Sequence, residues 1–489
     1  MADAAAQRKP GRGDLTRGPI GKTLLAFALP TLASSILQSL NGTINAIWVG
    51  RFLGESALAA TSNANMVMFL LTAFVFGFGM AATILVGQAW GRKDIDQARR
   101  VFGTAGGSFL LVTIAIAFAG WHLSPAILDL LGTPGDAAPL ALAYLRVIFL
   151  AMPALLLLTL AMMALRGAGD SMTPLWFMIV AVLLDSALNP ILIRGLGPAP
   201  EMGIAGSATA TLIANYAALL GLVGYIYVKD LPLRLRGREL RYLWCDVAIM
   251  KTIVVKGFPM GLQMVIISLS ALALVGLVNR EGVATTAAFG VAMQLWTYVQ
   301  MPAMALGAAV SAMAAQNIGA DLWDRVGRIT RVGIVQTLVI TAVMIVALTL
   351  SDRAVLALFM GSDSPALPIA RHIHLVATWN FLLFGVMMVL FGTVRANGAV
   401  WIPLIVLTVG LVPVRFGYIF ATYGWLGADA IWTSFPVTSA INLALAIGFY
   451  VHGGWKKARM TVGDRPSEDE TLEGALATRE PGGALKPAG

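Results

Sequence analysis

The chain has 489 residues, of which 58% are hydrophobic and only 12% charged, with a mean hydropathy of +0.79 and a formal net charge of +9. Soluble proteins carry roughly 25% charged residues, so reading this length as about three soluble domains fails. The surplus of Lys and Arg is read as the basic face of a membrane protein, not as a nucleic-acid footprint, and the single cysteine, Cys245, excludes an intramolecular disulfide or a thiolate metal cluster.

Residues 1–22 are polar and basic and are expected to be a cytoplasmic segment. They show no signal-peptide pattern, because the first apolar run is long and is followed by many others. Six apolar spans are expected near 24–50, 57–89, 101–128, 138–165, 174–194 and 203–228, forming a first lobe over 23–228. A basic loop at 229–252 then divides the chain, with Lys229, Arg234, Arg236, Arg238 and Arg241. A second lobe over 253–455 holds spans near 253–279, 285–317, 329–351, 369–394, 400–423 and 427–452. The tail, 456–489, is rich in Gly, Pro, Ala and acidic residues and is expected to be disordered and cytoplasmic.

With the N-terminus inside, about 27 of the 34 Lys and Arg residues fall on inner segments. Arg92, Lys93, Arg99 and Arg100 are among them, as are Lys456 and Lys457. The expectation is a multi-pass protein of the cell membrane with both termini cytoplasmic.

The halves resemble each other. ALRGAGDSMTP (164–174) aligns with TVRANGAVWIP (393–403) at an offset of 229, QAWGRKD (88–94) with QNIGADL (316–322) at 228, and Pro30 with Pro259 at 229. Six spans is an even number, so both halves enter the membrane in the same direction and the repeat is parallel. The fold class expected is all-α integral membrane, twelve transmembrane helices in two homologous six-helix lobes. Such duplication points to a transporter with its substrate site between the lobes.

Ionisable groups inside a span are expensive and are functional candidates by default. Asp185 lies about half-way along the fifth span, in VLLDSALNPILI (182–193), and Asn189 lies one turn further on the same face. Asn41 and Asn45 make a second i, i+4 pair in the first span. If spans one and five adjoin, these four side chains form one polar chamber whose carboxylate could bind and release a proton. The competing reading makes them interhelical hydrogen-bonding glue. Pro30 and Pro259, inside spans one and seven, each remove a helix hydrogen bond and are candidate hinges. Arg146, Arg371 and Arg415 lie at or near outer span ends and are read as snorkelling to the interface. Met387 and Met388 read as packing, although Met suits adaptable pockets. His372 and His374 sit two apart on different helix faces, so no metal site is expected, and no cofactor. The turn at 166–170 lacks the strand and P-loop lysine of a nucleotide site, which argues against ATP as the energy source.

The segments LTRGPIGKTLLAFALP (15–30), WVGRFLG (48–54), GQAWGRKD (87–94), NPILIRGLGPAPEMGIAGSA (189–208), KGFPMGLQ (256–263), AAQNIGA (314–320) and GTVRANGAVWIP (392–403) carry a family resemblance. Over about 15–455 the chain resembles the multidrug and toxic compound extrusion transporters, most of all their proton-coupled, DNA-damage-inducible-like branch. The resemblance implies export of organic, cationic or amphipathic small molecules in exchange for protons or sodium. A monomer is expected, since the internal duplication supplies a two-fold pathway in one chain. In that branch the first helix carries an aspartate and the fifth an Asn-x-x-x-Asp pair; the matching positions are Asn45, Asp185 and Asn189, so acid and amide are exchanged here. Pro30 matches a proline that the branch associates with bending. The sodium-type branch has acids where this chain has Ile267 and Asn380, which favours protons. The alternatives are a sodium-coupled exporter or a lipid-linked oligosaccharide flippase of the wider superfamily. An integral-membrane enzyme lacks the His, Asp or Ser cluster it would need.

Overall fold

The computed structural model describes residues 13–130, 138–244, 246–361, 363–458 and 460, without some of the side chains within 55–70. Cys245, residues 1–12 and the tail from 461 onward, of which disorder is expected, lie outside the described residues.

Long apolar runs can satisfy their own backbone groups in hydrocarbon only as helices, and among the described residues there is no strand. The first half is α1 (Ile20–Leu53), α2 (Glu55–Gly91), α3 (Ile95–Leu130), α4 (Ala138–Gly167), α5 (Met172–Arg194) and α6 (Ile204–Val228). The second half begins with α7 (Val247–Val278), α8 (Val283–Gly319) and α9 (Trp323–Leu350). A short helix, α10 (Asp352–Met360), precedes α11 (Leu367–Ala377) and α12 (Asn380–Ala396). The chain then forms α13 (Trp401–Val409), a π turn over Gly410–Val414, α14 (Arg415–Leu426) and α15 (Asp429–His452). Eleven of these stretches are long and apolar enough to cross a membrane, and twelve if α11 and α12 count as one. Large apolar side chains such as Leu111, Phe118 and Val343 cover the outer surface, as a bilayer requires.

The expected tenth span is broken. α11 and α12 meet at 44° across Thr378 and Trp379. Trp296 of α8 donates to Thr378 Oγ1 at 2.9 Å, and Thr378 Oγ1 bonds to His374 Nδ1 at 2.8 Å, so the break is held by buried side chains. Pro30 and Pro259, by contrast, lie in helices that run through them without interruption. Gly257 and Gly261, flanking Pro259, let α7 approach α2 so closely that a Cβ on Gly77 would come within 2.3 Å of Gly261 N.

The internal repeat is visible in the backbone. Lys93 and Asp321, 228 residues apart, both take positive φ, at 64° and 58°, in the turns that follow α2 and α8. Hydrogen bonds joining the halves cluster at the end of the bundle that carries the loop 229–252, called here the basic end. Gln88 Nε2 donates to Ala396 O, Gln316 Nε2 to Gly167 O and Asn317 Nδ2 to Leu15 O. The loop itself is tied to α3 by Arg99–Glu239 at 2.8 Å and Arg100–Asp246 at 2.7 Å. Asp230 is gripped by Arg236, which holds its carboxyl below the usual carboxylate range, and Arg234 adds to the effect.

Candidate functional site

Helix α5 carries Asp185 and Asn189 one turn apart, and α1 packs beside it with Asn41 and Asn45 at the same spacing. Four neutral donors converge on the carboxylate. Asn41 Nδ2 and Asn45 Nδ2 donate to Oδ2 at 2.7 and 2.9 Å, while Asn189 Nδ2 and Thr211 Oγ1 donate to Oδ1, both at 3.1 Å. Asn189 Nδ2 also donates to Asn45 Oδ1 at 3.0 Å, which closes the network between α1 and α5. Asp185 is only 2% exposed and Asn189 is fully buried. All four residues singled out in the sequence therefore meet at one point.

Thr211 of α6 was not singled out. Helical threonines mostly return their hydroxyl to their own backbone, as Thr209 does to Ala205 O at 2.7 Å. The available signal was the pair Thr211 and Asn215, one turn apart in an otherwise apolar span.

No cation pairs with Asp185 among the described residues. Its charge is balanced by amide and hydroxyl dipoles alone, so protonation breaks no ion pair. A buried carboxylate of this kind can exchange a proton and then reorganise the amides around it, which links the charge state to the contact of α1 with α5.

A second chamber, of about 440 Å³, lies in the second half and is lined also by Phe76 and Met80 of α2. Met387, Met388 and Ile267 line it, together with the side chains of Gln263, Arg395 and Arg415. Asn380 lines it too, donating to Ala377 O at 2.7 Å and accepting from Ser439 at 3.1 Å. None of its lining residues is acidic. Arg415 does not snorkel: it is 8% exposed, with its guanidinium 4.7 Å from the ring of Phe435. The π turn before it resets the face that α14 presents. Arg371 behaves otherwise, pairing with Asp352 at 2.9 Å, and Arg146 lies over the ring of Trp121.

His372 pairs with Asp429 and His374 with Thr378, so the two histidines diverge. Among the described residues no group of three or more His, Cys, Asp or Glu could hold a metal ion.

The MatE family model matches this chain twice, over residues 30–191 and 259–420, so both ends of the two matches are 229 residues apart. The chain belongs to the MatE family. The double match places one MatE unit in each lobe and accounts for the offset seen in the sequence. The probable multidrug resistance protein YoeA of Bacillus subtilis is 35% identical over 90% of this chain and 96% of its own length. The FAD transporter of Shewanella oneidensis is 28% identical over 63% of this chain and 68% of its own length. The crystal structure of MATE in complex with MaL6 superposes with a TM-score of 0.84 at 20% identity, covering 91% of this chain and 99% of that one, and so shares the fold. As a MatE protein the chain is a multi-pass membrane transporter of small molecules.

Proposed function

We propose that this MatE protein exports small organic molecules in exchange for protons, with Asp185 as the proton-binding group. The observation that carries the reading is a buried carboxylate held by four neutral donors and, among the described residues, no cation. The second chamber has no carboxylate to ligate sodium, which favours the proton and the DNA-damage-inducible-like branch. The basic end is assigned to the cytoplasm by its Lys and Arg content. The lobes are tied together at that end, and alternating access requires those ties to break. YoeA of Bacillus subtilis is a probable multidrug resistance protein, which supports export.

The test is efflux from proteoliposomes under an imposed pH gradient, comparing the natural protein with Asp185→Asn and using both a cationic and an anionic dye. Coupled efflux that disappears in the variant, at equal folding, supports the reading. Equal coupled efflux by both proteins sinks the role of Asp185, and an absence of efflux for every dye sinks export itself.

A further inference from the structure

The chamber in the second lobe has a charge of one sign. Arg415 is more than nine-tenths buried, and its Nε has no partner. Arg395 donates to Gln263 Oε1 at 2.5 Å, but its own Nε is also unpartnered. Gln263 Nε2 and Thr438 Oγ1 are further buried polar atoms with no hydrogen-bond partner in the same chamber. Asp352, Asp429 and Glu281 do not line the chamber and are bonded to Arg371, His372 and Tyr423.

An arginine inside a membrane protein ordinarily pairs with an acid or with backbone carbonyls, because an unpaired charge there is costly. Here both arginines line a cavity with no acidic residue in its wall. Guanidinium groups are suited to carboxylate and phosphate oxygens, which they bind through two parallel N–H groups. The rest of the wall is aromatic and methionine-rich, with Phe384, Phe435, Met260 and Met264 among the lining side chains. Such a wall accepts flat apolar bodies of varied shape.

The repeat separates the two arginines. The residue 229 positions before Arg395 is Arg166, so that arginine is common to both lobes. The residue 229 positions before Arg415 is Ser186. Arg415 is thus peculiar to the second lobe and sits directly after the π turn, a departure from helix geometry that recurs at functional sites.

We propose that the second-lobe chamber binds free amphipathic organic anions, an apolar or aromatic body bearing a carboxylate or phosphate, with Arg415 as the principal counter-charge and Arg395 and Gln263 as further donors. This rests on the export reading above and names the substrate class of that exporter, against the cationic class that the family resemblance implies.

The purified full chain in detergent is titrated by fluorescence anisotropy with carboxyfluorescein, an anion, and rhodamine 123, a cation on a similar ring system. The natural protein is expected to prefer carboxyfluorescein. Arg415→Gln is expected to weaken that binding by about tenfold or more, as loss of a charged hydrogen-bond partner does, without weakening rhodamine 123. Arg415→Lys, which keeps the charge but not the paired N–H groups, is expected to restore part of the affinity, and melting curves check that both variants fold. Unchanged carboxyfluorescein binding in Arg415→Gln, equal loss of both dyes, or no binding of either dye overturns the proposal. Displacement of the dye by near-stoichiometric phosphatidylglycerol, with phosphatidylcholine inert, assigns the site to a lipid headgroup and overturns the free anion. Dye binding in detergent needs neither a pH gradient nor Asp185, so failure of proton coupling and failure of anion binding are read separately.

Discussion

Gln88 and Gln316 occupy equivalent positions in the two lobes, and each reaches across to a backbone carbonyl of the other lobe, Ala396 O at 2.7 Å and Gly167 O at 3.0 Å. Their glycine neighbours repeat the relationship. A Cβ on Gly91 would lie 1.9 Å from Gln316 O, and one on Gly319 would lie 2.1 Å from Gln88 O. Contacts at such distances cannot coexist with any side chain larger than hydrogen.

Gly91→Ala and Gly319→Ala are therefore expected to favour the state that is open at the basic end. Overpacking of this sort costs about 1–3 kcal/mol, enough to shift a two-state equilibrium by roughly 5- to 150-fold. Spin labels placed on the turns after α2 and α8 would report the change as a longer mean distance. An unaltered distance distribution in both variants would mean that the contact does not gate the cleft.

Asp185→Asn is expected to abolish the dependence of efflux on the pH gradient while leaving the protein folded, since the substituted amide can still bond to its neighbours. Exchange of labelled for unlabelled substrate without a gradient should survive. Thr211→Val removes one of the four donors and is expected to slow coupled efflux, with Thr211→Ser restoring it. Rescue by serine is the observation that separates a hydrogen-bonding role from simple packing.

Pro259→Ala is expected to act on the rate of conformational exchange more than on substrate affinity, because Pro259 lies beside the closest approach of α2 and α7 and not on the chamber wall. Pro30→Ala tests the same idea in α1. Transport rates that fall several-fold at unchanged dye affinity would support a hinge at either proline. Affinity and rate falling together would place these prolines in packing.

Asp246 caps α7, accepting from Ala248 N at 3.1 Å and Ile249 N at 3.4 Å, and also holds Arg100. Asp246→Ala should cost about 1–2 kcal/mol of local stability, most of it from the lost cap, since a partly exposed ion pair adds little. Faster amide exchange over the first turn of α7, with the rest of the bundle unchanged, is the expected readout.

Span number, the repeat and the polar cluster around Asp185 were legible in the sequence because each depends on local patterns: apolar length, fixed offsets, and spacing of four residues along a helix. The relationships that were not legible are tertiary. The match of QAWGRKD to QNIGADL was visible, yet nothing local shows that Gln88 bonds to residue 396 of the other lobe. The break at Thr378 and Trp379 carries no proline or glycine to announce it; side chains of α8 and α11 impose it. Arg415 read as a snorkelling residue because it lies toward a span end, whereas its direction follows from a π turn that periodicity arguments assume away.

The crossed glutamines are an isologous contact, the kind that joins two identical subunits about a two-fold axis. Such a contact is blind to which partner is which. Assigning the coupling ion and the substrate to separate sites, by contrast, requires that the halves differ. The tie at the basic end therefore supplies closure but no division of labour. That division is written in the interiors, where one half keeps an acid among amides and the other a guanidinium among aromatic rings.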